Sequence, residues 1–169
     1  MPVLTKPGVT VVIADDGCTL RLEIGPLTPS FADLMGPAEL TEIMLEANRR
    51  EVVEEHTTTA KPHRVDTHVR LVHLLRAFGF PKVTADGWAT WTETAEGVQE
   101  GRMVVSAWGV ESYEQPWRLE RTDRHTLLLT IGPTVLPPTV SRFAVRMCAR
   151  LLVEALARGK EYVEKLGSS

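Results

Sequence analysis

The chain has 169 residues, 43% of them hydrophobic and 24% charged, with a formal net charge of −3, proportions of an ordinary globular protein. That length allows one domain over 1–169 to bury a sizeable core without help from a metal or a disulfide. A slightly acidic balance with no local run of Lys and Arg excludes a nucleic-acid partner, and no stretch approaches the ~18 apolar residues that span a bilayer, so no membrane partner is expected either.

The opening residues, MPVLTKPGVTVV, lack a basic start followed by a long apolar run, and no signal peptide is expected. Cys18 and Cys148 fall at positions that read as apolar-facing, which predicts buried free thiols and a reducing, cytoplasmic setting.

The first element is a hairpin over 9–24. With Asp16-Gly17 as a two-residue turn, Ile13 faces Leu20, Val11 faces Leu22 and Val9 faces Ile24, all on one face of the ribbon. A Pro- and Gly-punctuated loop follows, and Pro37 then opens a helix over 37–56 that carries Glu39, Glu42, Glu46, Glu51, Glu54 and Glu55. A second helix is predicted over 62–78, from the apolar row Val65, Val69, Val72 and Leu75, stopped by Gly79 and Pro81.

From Lys82 the period changes. Four strands are predicted at 88–94, 102–110, 117–122 and 126–131, with 82–85 as a further strand through an Asp86-Gly87 turn and a polar loop at 96–101. Connections this short make neighbours antiparallel, so the region is a meander. The last element is a long amphipathic helix over 138–166, capped by Thr139 or Ser141, whose apolar stripe needs the one-sided sheet as its partner. The predicted class is therefore α+β: an antiparallel meander packed against a long C-terminal helix, with an N-terminal β-hairpin and two intervening helices.

Chemistry is sparse. His56, His63, His68 and His73 are close in sequence, but the last three are spaced by five, so their rings diverge by about 140° per step on a helix and no metal site is expected. There is no nucleophile elbow, no Cys-x-x-Cys pair and no Gly-x-Gly phosphate cradle, hence no catalytic residues and no cofactor. Trp88, Trp91, Trp108 and Trp117 all fall in the predicted sheet; Trp88 and Trp91, three apart, point to opposite faces, which leaves at least one for a pocket wall or an interface. Arg142, Arg146 and Arg150 repeat at i, i+4, i+8 near the amino end of the last helix, where like charges repel and the macrodipole is unfavourable, so the stripe calls for an anion.

The element order of hairpin, helices, antiparallel sheet and long last helix resembles the helix-grip order of START and Bet v 1-like proteins. That resemblance implies a curved sheet closed by the last helix over an apolar cavity for lipids, hormones or polyketides, with Trp88 or Trp91, Trp108, Met147 and Leu151 on its walls. The chain departs from the pattern in having a complete hairpin before the helices and no clear glycine-rich loop. Complementary acidic and basic helices, four tryptophans and no catalytic constellation favour another expectation: a non-catalytic, self-associating structural or assembly protein, cytoplasmic or part of a phage particle, with a homo-oligomer as its working form. A helix-grip domain for a small apolar or anionic ligand is the alternative, and an enzyme of unknown class the third.

Overall fold

The computed structural model describes residues 2–15, 17–72, 83–107 and 110–168. Among them ten strands form one antiparallel sheet: β1 (Val3–Lys6), β2 (Val9–Ile13), β3 (Gly17–Ile24), β4 (Val53–Lys61), β5 (Arg64–Leu71), β6 (Thr84–Ala95), β7 (Val98–Ala107), β8 (Val110–Glu111), β9 (Gln115–Arg121) and β10 (Leu127–Val135). Three helices are described: α1 (Pro29–Leu34), α2 (Pro37–Ala47) and α3 (Arg142–Gly167). The strand order is β1-β2-β3-β10-β9-β7-β6-β5-β4, with β8 paired to β7. The α+β class, the meander and the long last helix are as expected, and Ser141 caps α3, its hydroxyl accepting from the Ala144 amide at 3.1 Å.

Two short helices do intervene; of the two predicted, the first opens at Pro37 as expected but is shorter, and the second is not seen among the described residues. The first stops at Ala47, and Val53–Lys61 is a strand rather than the end of a helix and a connector. Of the predicted 62–78 helix, Arg64–Leu71 is a strand, with Val65 and Val69 buried on one face and His68 exposed on the other, while its remainder beyond Val72 lies outside the described residues. A spacing of four is even, so Val65 and Val69 satisfy the strand period as well as the helical one. Asp86 and Gly87 are not a turn but the middle of β6, paired with Ser106 and Val105. Gly101 lies inside β7 rather than in a polar loop.

In the hairpin Ile13 pairs with Cys18, Val11 with Leu20 and Val9 with Leu22. This register lies two residues from the predicted one and keeps every side chain on its expected face, because a shift of two preserves the pleat.

Val145, Ala149, Val153, Leu156 and Val163 form the buried row of α3. It lies over β1, β2 and β3, where Val9, Val11, Leu22 and Ile24 are completely buried. Burying each such side chain stabilises the fold by about 1.5–3 kcal/mol. Helix α2 then ties the far edge of the sheet back to α3. Met44 fits against Gly159, where a Cβ would come within 2.3 Å of its sulfur. The buried Asn48 donates to the Met44 carbonyl at 2.8 Å and the Ala155 carbonyl at 2.9 Å, and accepts from Arg158 at 2.9 Å. On the other side of α2, Glu42 accepts from Thr58 of β4, and Glu46 lies 3.2 Å from the His56 ring. Sheet, α2 and α3 thus close a ring around an interior.

Candidate functional site: a half-covered apolar trough

Cross-strand register decides which side chains look into that ring. Leu22 of β3 faces Leu129 of β10, which faces Leu119 of β9; one row on, Leu20, Ile131 and Trp117 align, followed by Gly101 of β7 and Trp91 of β6. Met103 and Ala89 continue the inner face across β7 and β6. Burial along this face is uneven, with Leu127, Leu119 and Trp117 buried at 3%, 3% and 6% exposure. Leu22 is 0% exposed and Leu20 4%, whereas their neighbours Leu129 and Ile131, with Ala89, Trp91 and Met103, are only half-buried. The cause is the placement of α3, which covers β1–β3 and leaves the inner face of β10, β7 and β6 without it. We read these half-buried apolar side chains as the lining of a trough.

Its floor is built around a missing side chain. Trp91 and Trp117 flank Gly101 in register, and their rings meet edge-to-face with centroids 5.9 Å apart. A Cβ on Gly101 would lie 1.7 Å from the Thr90 carbonyl oxygen, so the position admits no other residue without moving the strand. The Trp117 indole N–H donates to the Arg102 carbonyl at 3.3 Å, which satisfies its polar handle.

The far wall is α3 with the segment leading into it. Leu136, Val140 and Leu152 are half-buried there. Cys148 is exposed, contrary to the expectation of a buried thiol, yet surrounding protein pushes its thiol pKa up. Burial likewise raises the half-buried Cys18, opposed by a hydrogen bond from Thr134 and reinforced by the nearby Cys148. The end of the trough under the α1–α2 junction is polar. A cavity of 190 Å³ there is lined by Asp33, Met35, Gly36, Glu93, Gln99, Leu119 and Arg121 among others, with Arg121 Nη1 2.5 Å from Asp33 Oδ1.

The sequence-predicted residues separate. Trp91 and Trp117 come together on the inner face, while Trp88 is on the outer face, where the Arg64 guanidinium lies 5.2 Å from its ring centre. Their opposite orientation is as the spacing of three requires. Trp108 lies outside the described residues. Met147 and Leu151, expected on the cavity wall, are half-buried on α3. Arg142, Arg146 and Arg150 line the exposed edge of α3; Arg142 reaches Asp15 at 3.6 Å, and among the described residues no ion pair involves Arg146 or Arg150. The acidic helix α2 meets α3 elsewhere, around Gly159 and Arg158. On the outer face Arg64 holds the Asp66 carboxyl below its usual range, chiefly through their hydrogen bonds, and the His68 ring lies 2.5 Å from Asp86. Among the described residues no three His, Cys, Asp or Glu converge as metal ligands would. Sequence reasoning missed Ala89, Met103, Leu129 and Ile131 as a group, because nothing local states which half of a sheet a helix will cover.

No family model and no curated protein matches the chain. Solved structures do. Human StAR-related lipid transfer protein 5 superposes with a TM-score of 0.61 at 13% identity, covering 99% of this chain and 86% of that one. Human STARD10 gives 0.59 at 11% identity, over 96% and 72% of the two chains. A fragment of a STAR-related lipid transfer protein from Xanthomonas axonopodis gives 0.57 at 12%, over 97% and 96%. The fold is the helix grip. The expectation of a self-associating structural or assembly protein is overturned by this likeness, which runs over nearly the whole chain and is to lipid-transfer domains. The features that suggested assembly have uses inside the chain. Helix α2 spends Glu42 and Glu46 on Thr58 and His56 of β4, and two of the tryptophans pack on each other.

Proposed function

We propose that this protein binds a small apolar molecule of lipid-like shape in the trough between α3 and the inner face of β6, β7 and β10. The observation that carries the reading is the contrast between completely buried Leu22 and its half-buried register partner Leu129, since an apolar surface held open inside a fold is stabilised by an apolar occupant. The hydrocarbon part lies along Ala89, Trp91, Met103, Leu129 and Ile131. A polar head group lies toward Arg121, Asp33, Glu93 and Gln99, whose donors and acceptors would otherwise face water. The lipid-transfer names of the matched structures support an apolar ligand class.

Transfer of each methylene from water contributes about 0.8 kcal/mol, so a chain of about ten methylenes supplies roughly 8 kcal/mol, the scale of micromolar affinity before immobilisation costs. The test is titration with a brominated long-chain fatty acid, read by tryptophan quenching, beside native mass spectrometry of the purified protein. Saturable quenching is expected in the wild type, and its loss in Ala89→Trp, which fills the trough from its floor. Absence of quenching in the wild type, or unchanged binding by Ala89→Trp, would overturn the reading.

A further inference from the structure

The edge of α3 that faces solvent has no use in the trough. Arg142, Arg146 and Arg150 are all exposed along it, and Phe143 is 73% exposed, the largest value among the exposed large hydrophobics described. Phe143, Arg146 and Arg150 stand at i, i+3 and i+7, on one face of the helix. Exposed Pro138 precedes the helix, and Val3, 52% exposed, stands on the neighbouring edge strand, while Pro2 and Ile13 border Arg142 and Arg146 in a shared hollow. Opposing charge is thin. Asp15 reaches Arg142 at 3.6 Å with both side chains largely in solvent, and Glu154, which ends the stripe, is taken by Lys6 at 2.9 Å.

We propose that this edge docks the protein on an anionic lipid bilayer, with Arg142, Arg146 and Arg150 on the head groups and Phe143 entering the interface. Charge complementarity selects an anionic partner, and the shape of the apolar part selects a bilayer. A folded partner needs a contiguous patch of roughly 800 Å², whereas Phe143 projects singly from a cationic helix edge, as interfacial anchors do. The described helices contain no segment long and apolar enough to cross a membrane, so the contact is peripheral. The other end of α3 supplies a control, since Leu166, 46% exposed, has the single cation Lys165 beside it in place of a row of arginines. Docking does not depend on what the trough holds.

The test is flotation of the full chain with vesicles of phosphatidylcholine, alone or mixed with phosphatidylserine. Wild type is expected to float only with the anionic vesicles and to be released by salt. Removing charge at Arg146→Gln and Arg150→Gln together should weaken binding about 25-fold, at about fivefold per charge. Phe143→Ser should also weaken it, and Leu166→Ser should not. Quenching by the brominated fatty acid should be unchanged in these variants, which separates failure of docking from failure of the trough. Wild type that floats with neither vesicle, floats equally with both, or is retained by an immobilised polyanion while ignoring vesicles overturns the proposal, as does an equal loss in Leu166→Ser.

Discussion

The inner face of one continuous sheet carries two kinds of apolar surface. Over β2 and β3 the buried residues alternate beneath α3; over β10, β7 and β6 the alternation continues with the half-buried Leu129, Ile131, Met103, Ala89 and Trp91, around the buried Leu119 and Trp117 of β9. Leu22 and Leu129 mark the boundary, directly paired across β3 and β10 yet unlike in burial. The sealed residues serve stability, and under the proposed function the half-buried ones serve recognition, although both are written in the same period-two pattern.

Substitution tests that division. Leu22→Ala should cost the most, about 4 kcal/mol, because a sealed site leaves a cavity. That corresponds to roughly 8–16 °C in the melting midpoint for a chain of this size. Gly101→Ala should cost about 3 kcal/mol by forcing β7 away from the Thr90 carbonyl, with loss of the near-ultraviolet circular dichroism of the Trp91–Trp117 pair. Leu129→Ala should cost only about 2 kcal/mol, since solvent already reaches the side chain. A Leu129 penalty equal to that of Leu22 in urea titrations would mean the two halves are equally sealed. The smallest effect concerns the α2–β4 contact. The His56 hydrogen bond, with a lesser contribution from Arg49, holds the Glu46 carboxyl below its ordinary pKa of 4.5. A carboxyl whose folded pKa is depressed binds fewer protons folded than unfolded, so its contribution is present above pH 4.5 and fades as pH falls through the lower folded value. Glu46→Gln should flatten that part of the acid limb of a pH–stability curve.

What the sequence made legible was whatever a two-residue period can state. Alternation at Val9, Val11, Leu20 and Leu22 revealed the hairpin and its faces but not its register, because registers two apart sort side chains identically. The spacing of Trp88 and Trp91 revealed opposite faces. Val65 and Val69 misled, since four residues is close to a helical turn and also two strand periods. The trough itself was out of reach for a different reason: its openness depends on where α3 lands, a tertiary fact with no local signature. Cys148 shows this most simply, read as apolar-facing from its neighbours and found exposed on α3.

The pairing of β3 with β10 has a consequence for how the chain is made. Ile24 finds its partner Leu127 more than a hundred residues later, and the helix that seals the hairpin follows β10 in turn. During synthesis from the amino end, this ribbon is made before the strand and the helix that cover it. The hairpin must wait with Val9, Val11, Leu22 and Ile24 uncovered and the β3 edge open, an arrangement of high contact order and slow closure. Nascent-chain holdases are thus expected to engage this protein through residues 9–24, a demand that comes from the order of translation and not from the stability of the finished fold.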